Sequence, residues 1–169
     1  RYVVLGARGT AEFDLSAQAT PKIKFEFTGL FTIPTEASAP VVVLSSWKEP
    51  KIVSAQNTPT FTIDAIPFVM SSAKLALGNK VEPRFLVGSD RVLITDKSET
   101  FETTVEAQAL TAFDPFTMAR DMGRVPVELV HGTTAGSIAT LNLATAQMQR
   151  PSISYSQNIK EWPLRLIPR

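Results

Sequence analysis

Residues 22–31 read KIKFEFTGLF, with Ile23, Phe25 and Phe27 alternating against Lys22, Lys24 and Glu26. A period of two marks a half-buried β-strand, apolar on one face and wet on the other. It predicts that Phe25 and Phe27 both point into a core. The same alternation runs through residues 11–19, with Phe13, Leu15 and Ala17 on one side. It returns over residues 60–66, where Phe61, Ile63 and Ala65 oppose Thr60, Thr62 and Asp64. Residues 70–77, 92–95, 100–107, 125–131, 137–148 and 162–167 supply further strands, with Glu102, Thr104 and Glu106 on the exposed face of one of them. Roughly nine short strands separated by turn residues predict a mainly β chain, an antiparallel β-sandwich or partial barrel.

One helix breaks the series. Asp114 is suited to an N-cap, Pro115 to the first helical position, residues 116–122 to two turns, and Gly123 to a left-handed C-terminal position. Phe116, Met118, Ala119 and Met122 share the spacing of one face, which predicts a short helix packed on the sheet.

Residues 32–59 follow neither period. Pro34, Pro40, Pro50 and Pro59 sit among Ser, Thr and Ala around a bare apolar run, Val41, Val42, Val43 and Leu44, followed by Trp47. Ordinary connections are about 4–6 residues long, and much longer ones tend to be functional or disordered. A valine run and a tryptophan speak against disorder. The run is either one more strand of the sandwich or an arm that docks on a neighbouring subunit, and an edge hairpin could be both.

Composition narrows the field modestly. The 169 residues are enough for one domain with a sizeable core, and 44% hydrophobic with 20% charged residues is ordinary for a globular chain. Lys plus Arg number 17 against 16 Asp plus Glu, which gives no bulk attraction to nucleic acid or an anionic membrane. The lack of cysteine excludes structural disulfides and thiolate zinc sites. No apolar run approaches the roughly 20 residues of a spanning helix.

Candidate chemistry is sparse. The one histidine, His131, opens HGTTAG, which reads as a hairpin turn with Gly132 and Gly136 at positive backbone angles and the ring without a catalytic partner. No G-x-S-x-G nucleophile elbow accompanies it. Gly6-Ala7-Arg8-Gly9-Thr10 lacks the Lys-Ser/Thr ending of a phosphate loop and reads as another turn. Glu26, Asp64, Glu82, Asp90, Asp96, Glu102 and Glu106 are scattered without metal-ligand spacing, as solvated strand faces would be. These residues predict no catalytic, metal or cofactor site.

Taken in order, several stretches resemble the major tail tube proteins of long-tailed (siphovirus-type) bacteriophages and prophages. They are GARGTAEFDL at residues 6–15, FEFTGLF at 25–31, the IPT that opens the long loop at 33–35, LALGNKVEPRFLVGSDRVLITD at 75–96 and HGTTAGSIATLNLATAQMQRPS at 131–152. The resemblance implies a sandwich or partial barrel flanked by a helix, self-assembling into hexameric or pseudo-hexameric rings that stack into a hollow tube. Its partners would be copies of itself and other tail proteins, with DNA passing through the lumen unbound, no cofactor and no membrane. The place would be the virion tail, assembled in the host cytoplasm. Residues 32–59 would form the stacking contact, setting Val41, Val42, Val43, Leu44 and Trp47 between subunits. The resemblance also implies an acidic lumen wall along which DNA slides, for which Glu102, Thr104 and Glu106 are the candidate face, or else an ordinary solvated one. Residues 1–169 would be a single tail-tube-like domain, and the opening at Arg1 suits the C-terminal part of a longer chain. A carbohydrate- or receptor-binding β-sandwich of a phage tail is the alternative.

Overall fold

The computed structural model describes the chain from Arg1 to Arg169. In chain order the strands are β1 (Leu5–Ser16), β2 (Lys22–Leu30), β3 (Thr60–Ile63), β4 (Ile66–Pro67), β5 (Met70–Ala76), β6 (Asn79–Leu86), β7 (Ser89–Lys97) and β8 (Thr100–Glu106). The single helix, α1 (Pro115–Arg120), then leads to β9 (Arg124–His131), β10 (Ala139–Met148), β11 (Ser154–Ser156) and β12 (Ile159–Pro168). One antiparallel sheet runs β2-β1-β5-β8-β12-β10-β9-β3-β4, with β11 added beside β12, and β6 and β7 form a separate hairpin. The expected mainly β, sandwich-like class with one short helix is therefore what the chain adopts, and the sheet does not close into a barrel.

The core lies on one face of the long sheet. Leu75, Phe101 and Leu166 stand opposite one another across β5, β8 and β12. Phe61, Ile63, Val127 and Leu129 from β3 and β9 join the same buried cluster, so the far end of the sheet curls back over its middle. Trp162 is fully buried, with Phe113 and Phe116 against it at ring-centroid separations of 6.2 and 6.4 Å.

The helix begins as its sequence requires. Asp114 Oδ1 accepts from the backbone N–H of Phe116 at 3.0 Å and of Thr117 at 3.1 Å. The side chain of Thr117, and then these N–H groups, hold the Asp114 carboxyl below the usual carboxylate range. The C-terminus differs from expectation. Met122, not Gly123, takes the left-handed conformation (φ 53°), the Gly123 N–H reaches the Met118 carbonyl at 2.7 Å, and the Met122 N–H reaches Ala119 at 3.3 Å. These are the two bonds of a Schellman motif, set one residue earlier than a glycine-first reading assumes. A Cβ on Gly123 would lie 3.2 Å from the Met118 carbonyl oxygen, so the glycine serves the close approach. Met122 is exposed, while Phe116, Met118 and Ala119 pack on the core.

Three other local expectations are corrected. Residues 60–66 are not one strand: Asp64 and Ala65 both have positive φ, the signature of a type I′ turn, and join β3 to β4. Residues 6–10 are not a turn. They lie inside β1, where Gly6 at φ 60° takes up a register shift between Leu5 and Arg8. Phe25 and Phe27 do not enter the core, being 59% and 68% exposed. The face was assigned correctly, since Phe25 lies opposite the buried Ala11 and Ile23 opposite Phe13. β2 is an end strand, however, and even with the β6–β7 hairpin packed beside β1 and β2, Ile23, Phe25 and Phe27 each keep more than half of their surface exposed.

Phe101→Ala should lower the unfolding free energy by about 3–5 kcal/mol, whereas Phe25→Ala should move it by about 0.5 kcal/mol or less, measured by urea denaturation. Met122→Gly should raise stability by up to about 1 kcal/mol and raise Tm, because relieved left-handed strain outweighs the extra unfolded-state freedom of glycine.

Candidate functional site

Two features stand out from an otherwise ordinary β domain: a long projecting arm and the uncovered face of β2. The arm comprises residues 31–52, which contain no strand, so the reading of Val41, Val42, Val43 and Leu44 as a further strand of the sheet is set aside. These four residues and Trp47 are 56–91% exposed. Within residues 36–50 the one backbone hydrogen bond closes a turn, from the Trp47 N–H to the Leu44 carbonyl at 3.0 Å.

Both ends of the arm are held. On the outgoing side the Thr35 N–H donates to the Arg1 carbonyl, and the Thr32 hydroxyl donates to the Val3 carbonyl. On the return side Val53 is buried and exchanges backbone bonds with the β1–β2 turn: its N–H reaches Ala19, and the Gln18 N–H reaches its carbonyl, each at 2.8 Å. Beside it lies His131, 8% exposed and not in the turn expected for it. Its Nε2 lies 3.2 Å from the Lys51 carbonyl, which can only accept, so Nε2 donates there, and Nδ1 is hydrogen-bonded to the Thr58 hydroxyl at 3.0 Å. The imidazole thereby ties the foot of the arm to the end of β9. The Gly132 N–H adds a 2.7 Å bond to the Asn57 carbonyl. HGTTAG does form the β9–β10 connection, with Gly132 and Gly136 at positive φ as expected.

The uncovered face of β2 carries Ile23, Phe25 and Phe27 in one row, the two phenyl rings stacked at 6.0 Å and 14°. Gly9 lies opposite Phe27 on β1, where a Cβ would sit 2.5 Å from the Phe27 ring, so the ring covers the glycine. At the Ile23 end the row opens into a cleft of about 250 Å³ lined by Phe13, Leu15, Leu75, Leu129 and Leu141, with His131 on its wall. Leu75 comes from the middle of the sheet and Leu129 from its curled end, so the cleft marks where the sheet fails to close.

The opposite face is polar and ordered by charge. Across five strands the register sets Lys22 opposite Asp14, Asp14 opposite Lys74, Lys74 opposite Glu102 and Glu102 opposite Arg165. Each step changes sign, and cross-strand pairs of this kind contribute roughly 0.2–1 kcal/mol each. Lys74 Nζ lies 2.6 Å from Glu12 Oε1, and Arg165 Nε lies 3.5 Å from Glu102 Oε1. The bond to Glu12, with the charges of Glu102 and Asp14, raises the Lys74 pKa above its ordinary value. Glu102, Thr104 and Glu106 do share this face, but Glu102 is neutralised by its neighbours. Glu106 faces Glu161, and Thr104 faces Ser72 and Pro163. The face is therefore a mosaic of both signs and not an acidic strip.

Of the two tryptophans, Trp47 is on the arm and Trp162 is in the core. The β6–β7 hairpin, missed in sequence apart from residues 92–95, projects with Phe85, Leu86 and Val87 exposed around its Val87–Gly88 tip. Its signal was weak because Pro83 falls inside the run, and proline demotes a strand pattern. The β11–β12 hairpin was missed too; its Gln157–Asn158 turn, with both residues at positive φ, was the cue that could have found it.

His131→Ala should destabilise the fold by about 1–3 kcal/mol, because the truncation leaves the Lys51 carbonyl and Thr58 hydroxyl without their partner. Thr58→Ala combined with it should be less than additive in a denaturation double-mutant cycle.

The chain matches no family model, and no curated protein matches its sequence.

Proposed function

We propose that this chain is a structural subunit of a long-tailed phage tail tube, non-enzymatic, which self-associates into stacked hexameric or pseudo-hexameric rings around a conduit for DNA. The observation that carries the reading is the arm. Four consecutive aliphatic residues and a tryptophan stand in water on a segment anchored at both ends. Ordinary monomers rarely expose contiguous apolar patches beyond about 300–600 Å² unless the patch is an interaction site. The free edge of β2, nine residues long, adds unpaired backbone groups of the kind that invite another chain. The ordered resemblance of the sequence stretches to tail tube proteins supplies the identity of the assembly.

In this reading the arm makes the contact between rings, and the polar face bearing Glu102, Thr104 and Glu106 is the candidate lumen wall. Its alternating charges suit a conduit, since a surface whose neighbouring charges cancel offers a sliding polyanion neither a net attraction nor a selective site. Copies of the chain and other tail proteins are the partners, in the virion tail and, during assembly, in the host cytoplasm.

The test is negative-stain microscopy with sedimentation across a concentration series. The full chain should form rings or tubes as concentration rises. A variant lacking residues 40–47 should build no tubes or stacked rings while keeping its β circular dichroism and its unfolding midpoint. A full chain that remains monomeric throughout, or a deletion variant that still builds tubes, overturns the reading.

A further inference from the structure

We propose that the uncovered face of β2, with the cleft at its end, is the seat of the arm of a second copy, taking the side chains of residues 41–44 and Trp47. The inference rests on the self-association proposed above and goes further by naming the receiving surface. Ile23, Phe25 and Phe27 continue the core face of the sheet past the last residues that the chain itself covers, which leaves a row with the chemistry of an interior and the exposure of a surface. The row leads into the apolar cleft between the sheet's middle and its curled end. The cleft's lining is mainly apolar and holds no carboxylate, with Lys22 its one charged chain, so an uncharged branched or aromatic segment is the occupant we assign to it.

The arm is such a segment. It is uncharged from Ala37 to Trp47, and its backbone between residues 36 and 43 makes no hydrogen bond within the chain. Its own chain does not provide the seat: both ends are pinned, and the tip stands exposed while the row on β2 is exposed as well. Counting aromatic side chains at about 150–250 Å² each, the arm tip and the β2 row together hold on the order of 1,000 Å² of surface to be covered. That approaches the roughly 1,200 Å² at which specific interfaces begin. An arm given by each copy and received by the next makes a head-to-tail contact, which propagates as a stack.

The chain has no cysteine, so introduced thiols report cleanly. Ile23→Cys and Val42→Cys, made as separate variants and mixed under assembling conditions, should form a heterodimeric disulfide. Val87→Cys, on the projecting hairpin, should form none with Ile23→Cys. Phe25→Ser combined with Phe27→Ser should leave the unfolding midpoint within error and raise the concentration needed for assembly at least tenfold. Assembly without the Ile23–Val42 crosslink, or assembly at an unchanged concentration in the Phe25/Phe27 variant, overturns the seat and leaves self-association standing. A disulfide closing inside dilute monomers of the Ile23→Cys/Val42→Cys double variant shows that the arm covers its own chain, which also overturns it. A full chain that never assembles removes both proposals together.

Discussion

A sheet with an apolar face must bury that face against something, and here the face is longer than the core available to cover it. From β5 through β12 the layer closes on itself, with Leu75, Phe101 and Leu166 shielded by Val127, Leu129 and Ile63 from the curled end. At β2 the curl has run out, and the row Ile23, Phe25 and Phe27 continues more than half exposed. Burial stabilises at roughly 25 cal/mol per Å² of apolar surface, so this row is a standing driving force for contact. The features that distinguish this domain from a closed barrel all sit at that opening: the cleft, the free edge and the projecting arm.

The arm depends on the same end of the molecule. Its return segment is clamped where Val53 meets the β1–β2 turn and where His131 holds the Lys51 carbonyl. The histidine thus holds the chain through hydrogen bonds at both ring nitrogens. Partners of that kind position a loop foot while leaving the tip free. In the proposed docking a fixed foot matters, because less conformational freedom remains to be lost when the tip is covered.

The two faces of the sheet divide the work. The apolar face gives cohesion and, at β2, an adhesive remainder. The polar face is held in register by the alternating row from Lys22 to Arg165, where a slip of one strand by one residue would send charges into the core and apolar groups into water. That charge order is invisible in a net charge of +1, because it arises between strands far apart in the chain.

Local sequence determined the period-two strands, the Asp114 cap, the glycine-bearing turn after His131 and the face on which Phe25 and Phe27 lie, because each depends on neighbours within a few residues. It also marked residues 41–44 and Trp47 as too apolar for a plain linker. Tertiary structure alone decided that Phe25 and Phe27 stay exposed, since burial depends on whether another layer reaches β2, and strand order is set by pairings between distant segments. For the same reason His131 became a buried tie to Thr58 and Lys51, 73 and 80 residues away in sequence. Alternation tells which side a residue is on, and only the folded sheet says what stands opposite.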